Sequence, residues 1–85
     1  MKSIKWQPKA LKQLKKFKDA QVVARIYKAV GGLASFPVGG DIKALKNHKY
    51  DYRLRVGDYR VMFNVEESIE IVVVEEVKKR DERTY

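Results

Sequence analysis

The sequence predicts an α+β domain, with a helical hairpin packed on one face of a mainly antiparallel twisted sheet in the order β-α-α-β-β-β. Three patterns carry this reading. Residues 50–65, Y-D-Y-R-L-R-V-G-D-Y-R-V-M-F-N-V, alternate apolar and polar on both sides of a Gly-Asp pair, which is hairpin periodicity. Residues 8–33 repeat apolar side chains at helical spacing on both sides of Asp19. Ile69 to Val74 is a run rich in β-branched residues, as expected of a strand buried on both faces.

Taken in order, residues 2–6 read as a short strand, with Ile4 and Trp6 on one face and Ser3 and Lys5 on the other. Pro8 suits the first turn of a helix, where a missing N–H costs nothing. Ala10, Leu11, Leu14 and Phe17 form its narrow apolar stripe, and Lys9, Lys12, Lys15, Lys16 and Lys18 cover the remainder. Asp19 is placed to cap a second helix. Val22, Val23, Ile26, Val30 and Leu33 form that helix's buried face. Gly31-Gly32 weakens its last turn, and Pro37 stops it. Residues 36–40, F-P-V-G-G, are a turn region by composition. Residues 44–49 can be a short strand or a loop. After the hairpin, Glu66-Glu67-Ser68 reads as a turn, and Lys78 to Tyr85 as a charged tail.

An 85-residue chain has room for a single domain, residues 1–85, with a modest core. The absence of cysteine excludes disulfides and thiolate metal sites and fits a reducing, cytoplasmic setting. No apolar run approaches the roughly 20 residues of a membrane helix, and residues 1–6 lack a signal peptide's apolar core. The net charge of +8 is uneven: residues 1–50 carry twelve Lys/Arg against Asp19 and Asp41, whereas residues 51–85 carry seven against nine Asp/Glu. A basic domain of this size fits a polyanionic partner; the alternative is a soluble protein with lysine-coated helices.

The hairpin supplies the strongest candidate site. With Gly57-Asp58 as a type II′ turn, Val56 pairs with Tyr59, Arg55 faces Arg60 and Arg53 faces Met62. Like charges directly opposite destabilise a sheet, but an anion held between them offsets the repulsion. Guanidinium groups bind phosphate oxygens bidentately, so Arg53, Arg55 and Arg60 point to phosphate. The alternative is an exposed face whose arginines pair with Asp51, Glu70 or Glu75. Tyr52, Tyr59 and Phe63 share the opposite, apolar face and read as core. Arg80 and Tyr85 follow the last strand and can form a second wall of a cleft, with Tyr85 stacking on a base or exchanging a proton; the alternative is a frayed terminus. His48, the single histidine, reads as a surface residue. Nothing in the chain has metal-ligand spacing, and no cofactor motif is present.

Residues 52–63, Y-R-L-R-V-G-D-Y-R-V-M-F, and the ending K-R-D-E-R-T-Y from Lys79 to Tyr85 resemble the RelE/ParE family of toxin–antitoxin toxins, and the likeness runs nearly the full chain. It implies an mRNA interferase that cleaves messenger RNA in the ribosomal A site without a metal or other cofactor. The 2′-hydroxyl attacks the adjacent phosphate, giving a 2′,3′-cyclic phosphate and a 5′-hydroxyl. By this resemblance Arg60 holds the scissile phosphate, Arg80 stabilises the transition state or protonates the leaving group, and Tyr85 orients the substrate. Arg53 matches a basic position in the preceding strand, and Arg53, Arg55 and Lys79 are the expected phosphate-binding residues. Two features depart from the pattern: Asp51 stands where RelE has a lysine, and the tail, which reads His-Arg or Lys-Arg in relatives, is Lys79-Arg80 here and supplies no histidine. The resemblance also implies a cognate antitoxin that wraps the domain with an amphipathic, acidic segment in a hetero-oligomer. Ribosomal RNA would meet the lysine-rich helices, and no membrane is involved. Two other functions are compatible: a ParE-like inhibitor of DNA gyrase, and a non-catalytic RNA-binding relative.

Overall fold

The computed structural model describes residues 1–79, so Arg80 and Tyr85 lie outside the described residues. The elements are β1 (Ser3–Trp6), α1 (Pro8–Lys16), α2 (Ala20–Gly31), a 3-10 turn (Gly32–Ser35), β2 (Asp41–Ala44), β3 (Tyr52–Val56), β4 (Tyr59–Glu66) and β5 (Ile71–Lys79). The sheet order is β1-β5-β4-β3-β2. Only β1 and β5 run parallel, so the first and last strands lie side by side.

Local chemistry explains the helices. Pro8 opens α1 as expected, and no side chain caps that end. Asp19 caps α2, its Oδ1 accepting from the N–H groups of Gln21 and Val22 at 2.9 and 3.4 Å. Ala10 and Leu14 of α1 and Ile26 and Val30 of α2 are buried against the sheet with Leu33. Helix α1 also closes an edge: β1 ends opposite Val74, and beyond it the Val77 N–H donates to Gln13 Oε1 at 2.7 Å. A side chain thus satisfies a donor that a longer β1 would otherwise pair.

The hairpin has the expected register, with Val56 opposite Tyr59, Arg55 opposite Arg60 and Arg53 opposite Met62. Gly57 takes φ +58°, the conformation required at the first position of a type II′ turn. Its missing side chain also leaves space for Arg25, whose Nη2 would lie 3.0 Å from an added Cβ. Leu54, Val61 and Phe63 are fully buried, and Tyr52 and Tyr59 pack at the core's margin. The Phe63 ring stacks on Tyr52 at 5.4 Å and meets Phe36 edge-on at 5.8 Å.

Three sequence expectations change. Of the two readings of residues 44–49 the loop holds beyond Ala44, and an additional strand, β2, comes earlier, from Asp41. Its alternation is cryptic because only Ile42 is apolar among Asp41-Ile42-Lys43, too short a signal to separate from a turn. The final strand runs from Ile71 to Lys79, so Ile69 lies in the turn and is exposed, and Lys78-Lys79 belong to the sheet. Nor is it buried on both faces. Val72, Val74 and Val77 are buried, while Ile71 and Val73 are half-covered because the helices occupy one side only.

Phe63→Ala is expected to destabilise the domain by about 3–5 kcal/mol, the range for deleting a buried aromatic ring. Asp19→Ala is expected to cost about 1 kcal/mol, the value of an N-cap. Urea unfolding of both variants checks the order; equal losses would show that Phe63 is not central to the core.

Candidate functional site

The face of the sheet away from the helices carries the polar residues of the strands. Register arranges them in two rows. One row crosses Asp41, Arg55, Arg60 and Lys78 on β2, β3, β4 and β5. The next crosses Lys43, Arg53, Met62 and Glu76. Neighbours in a row lie one strand spacing apart, about 4.8 Å, and the rows are separated by two residues, roughly 6.5–7 Å. Five cations therefore share a small surface with two carboxylates.

The Arg53 side chain is largely enclosed, 15 % exposed. Its Nη2 reaches Asp41 Oδ1 at 3.4 Å, not Asp51, Glu70 or Glu75. Its Nε is buried without a hydrogen-bond partner. A buried donor in that condition costs about 1–3 kcal/mol. Arg55 is exposed, with Nε donating to the Gly57 carbonyl at 3.3 Å. Arg60 is half-buried between Arg55 and Lys78 on the flanking strands. The Asp51 N–H donates to Asn64 Oδ1 at 2.8 Å, and Asn64 Nδ2 donates to Glu75 Oε2 at 3.2 Å. This holds the exposed Asp51 at the end of the arginine face.

Lys79 stands apart from these groups. It pairs with Tyr59, whose ring faces Phe17 on the helix side, whereas Lys78 pairs with Arg60. The structure thus brings Arg53, Arg55 and Arg60 together with Lys78, and turns Lys79 to the other face. Arg80 and Tyr85 are outside the described residues. His48 is exposed, as expected, and its Nδ1 accepts the Tyr50 N–H at 3.1 Å.

Sequence reasoning missed Tyr50, Glu76 and Lys9. Glu76 is buried, with its side chain 11 % exposed. Its Oε1 accepts from Lys9 Nζ at 2.7 Å and lies 3.7 Å from Lys78 Nζ, and the buried Tyr50 contributes a hydrogen bond from its hydroxyl. Burial pushes the Glu76 carboxyl up, but the Lys9 hydrogen bond and the Lys78 charge outweigh it and leave the group below the usual glutamate value. The same hydrogen bond, against partial desolvation, raises Lys9. A β-bulge hides this site from a sequence reading. Pairing shifts between Met62 and Phe63, so Met62 faces Glu76 while Phe63 faces Val74. Strict alternation from Val74 would have put Glu76 in the core.

On the opposite side of the molecule, Phe17, Ala20, Val23, Ala24 and Tyr27 line an apolar groove of about 790 Å³ rimmed by Lys15, Lys18 and Lys28. Tyr27 is 56 % exposed and stacks on Trp6 at 5.3 Å.

A family model described as the ParE toxin of the type II toxin–antitoxin system parDE matches residues 4–83. The chain belongs to the RelE/ParE toxin superfamily. It is therefore a toxin of a type II toxin–antitoxin system. Solved RelE-type structures share the fold. The chain is similar to RelE in the archaeal RelE–RelB complex from Pyrococcus horikoshii, with 24 % identity and a TM-score of 0.79 over 95 % of this chain and 97 % of that one. It is similar to the isolated Escherichia coli RelE toxin, with 19 % identity and a TM-score of 0.78 over 95 % and 86 % of the two chains. YoeB from Staphylococcus aureus, solved as a dimer, gives 18 % identity and a TM-score of 0.72 over 94 % and 98 %. No curated protein sequence matches the chain. No helix among the described residues of this RelE/ParE member is long and apolar enough to cross a membrane.

The Glu76 environment sets a pH dependence. A carboxyl held lower in the folded chain than in the unfolded one stabilises the fold above its unfolded value, and that contribution disappears as pH falls through the folded value. Lys9 is the converse: raised on folding, it contributes at neutral pH and is lost only as pH rises through the folded value. Thermal unfolding of the wild type should therefore lose more stability on acidification through the carboxylate range than Glu76→Gln does. Parallel curves for the two proteins would show that the ion pair contributes nothing.

Proposed function

We propose that this toxin cleaves messenger RNA on the ribosome. The observation that carries the reading is the clustering of Arg53, Arg55, Arg60 and Lys78 in adjacent rows. Such a surface is unfavourable for the sheet by itself and suits a phosphodiester. In the reaction the ribose 2′-oxygen bonds to phosphorus and loses its proton, and the bond from phosphorus to the 5′-oxygen breaks as that oxygen gains one. Negative charge builds on the phosphoryl oxygens, and fixed cations stabilise it electrostatically. Arg60 and Arg53 are assigned to the scissile phosphate, with Arg55 and Lys78 alongside. Arg80 and Tyr85 keep the roles the family resemblance gives them, with Tyr85 on the substrate and Arg80 at the leaving group. Asp51 stands at the end of the face and supplies no cation.

The match to a ParE model favours a second reading, inhibition of DNA gyrase. Induction in growing bacteria separates the two. Early loss of labelled amino-acid incorporation, with new message ends inside translated codons, is the expected result; early loss of thymidine incorporation with intact messages supports the gyrase reading instead. Arg60→Ala should lower cleavage by about 10²-fold, the typical effect of removing one preorganised charge-stabilising donor, with an unchanged melting temperature. A folded Arg60→Ala protein that remains fully toxic would overturn the ribonuclease reading.

The partner is a cognate antitoxin; solved relatives include the RelE–RelB complex from Pyrococcus horikoshii. The helical groove is the proposed seat of its amphipathic segment. The apolar floor and the lysine rim fit acidic side chains flanking an apolar stripe. Ala20 and Ala24 are exposed on the floor, where their small size allows close approach. Ala24→Arg should abolish co-purification with the co-expressed antitoxin while leaving toxicity intact, and retention of the complex would place the antitoxin elsewhere.

A further inference from the structure

The arginine face contains one group of the wrong sign for binding phosphate. Glu76 is buried in the row with Arg53 and Met62, two residues before Lys78. In a site that holds anions, a carboxylate subtracts from the attraction unless it does something else. Its contacts show what that is. Lys9 comes from α1, Lys78 from β5, and both ammonium groups converge on Glu76 Oε1, at 2.7 and 3.7 Å. Tyr50, from the segment before β3, is buried over the same position. Both lysine side chains remain more than half exposed, so their outer sides stay open to a ligand. Lysine carries a flexible stem with considerable rotamer entropy. A carboxylate that holds two of them removes that entropy before the anion arrives.

We propose that Glu76 is a positioning residue of the RNA site: it fixes Lys9 and Lys78 beside Arg60, so that cations from α1, β4 and β5 meet one phosphate. This rests on the arginine face being the RNA site and extends that site to a helix residue. The bulge at Met62/Phe63 turns Glu76 to this face; without it the carboxylate would point into the core.

The alternatives differ in sign. If Glu76 only neutralised charge or held the fold, replacing it with glutamine would leave phosphate attraction equal or greater. If it positions the lysines, the same change weakens binding. The test measures binding of a short 2′-O-methyl RNA oligomer, which lacks the attacking hydroxyl, across a series of salt concentrations. Glu76→Gln is expected to bind several-fold more weakly, with a salt slope shallower by about 0.7, the loss of one phosphate contact on a single strand. Binding equal to or tighter than wild type, with an unchanged slope, overturns the proposal.

If Glu76→Gln does not fold, Lys9→Met and Lys46→Met decide the matter, since each removes one charge from an exposed lysine and leaves Glu76 in place. The proposal requires Lys9→Met to reduce the slope by about 0.7 and Lys46→Met, in the β2–β3 loop, to leave it nearly unchanged. Equal effects mean that Lys9 acts through general charge, and the proposal fails. Arg60→Ala separates this from the parent reading. Weak binding by Arg60→Ala with normal binding by Glu76→Gln removes only the positioning role; normal binding by both removes the RNA site itself.

Discussion

β5 lies between a parallel partner and an antiparallel one, and its pairing with β4 sets the geometry of both faces of the sheet. Along one side, Val72, Val74 and Val77 meet Val65, Phe63 and Val61 and close the core beneath the helices. Along the other, Glu76 and Lys78 meet Met62 and Arg60. The bulge makes these two facts compatible. It adds one residue to β5, so that three buried valines and the functional carboxylate each reach the correct side. Bulges are common where a strand must re-aim a side chain near a site, and a regular ladder here would bury a carboxylate or expose a valine.

The helices serve the sheet more than they serve each other. α1 follows β1 and lies along the end of β5, where Gln13 satisfies the Val77 N–H and Lys9 reaches Glu76. α2 fills the concavity with Ile26 and Val30 and leaves Ala24 and Tyr27 to solvent. The apolar core is small, and the opposite face holds Arg55, Arg60 and Lys78 on neighbouring strands. The core and the β4–β5 ladder offset that repulsion. The toxin thus holds a densely cationic surface within a small domain, with Asp41 and Glu76 pairing some of its charges.

The hairpin was legible because its two strands obey a single rule. A period of two, a Gly-Asp turn and apolar residues on one side suffice to place Arg55 opposite Arg60. The helices were legible for the same reason, with Asp19 marking the boundary between them. β2 was not, since four residues with Ile42 alone half-buried carry too little periodicity. The ends of β5 were misjudged because β-branched composition marks strand interior and says little about termini; Lys78 and Lys79 are in register although their side chains are charged. The site was half visible. Arginines on alternate positions of one hairpin announce themselves, but Glu76 depends on a bulge and Lys9 on the path of a helix, and neither is written in local pattern. Lys78 and Lys79 show the limit most plainly, because adjacent lysines on one strand belong to opposite faces.

The parallel pairing of Ser3–Trp6 with Ile71–Val74 bears on how the toxin is made. Contacts between segments far apart in sequence are slow to form and require both segments to be present. A nascent chain still lacking residues 71–79 has no partner for β1, no Lys78 beside Arg60 and no Glu76 to receive Lys9. The hairpin arginines are encoded before β5, but the Lys78–Glu76–Lys9 part of the surface comes into being only when β5 joins the sheet.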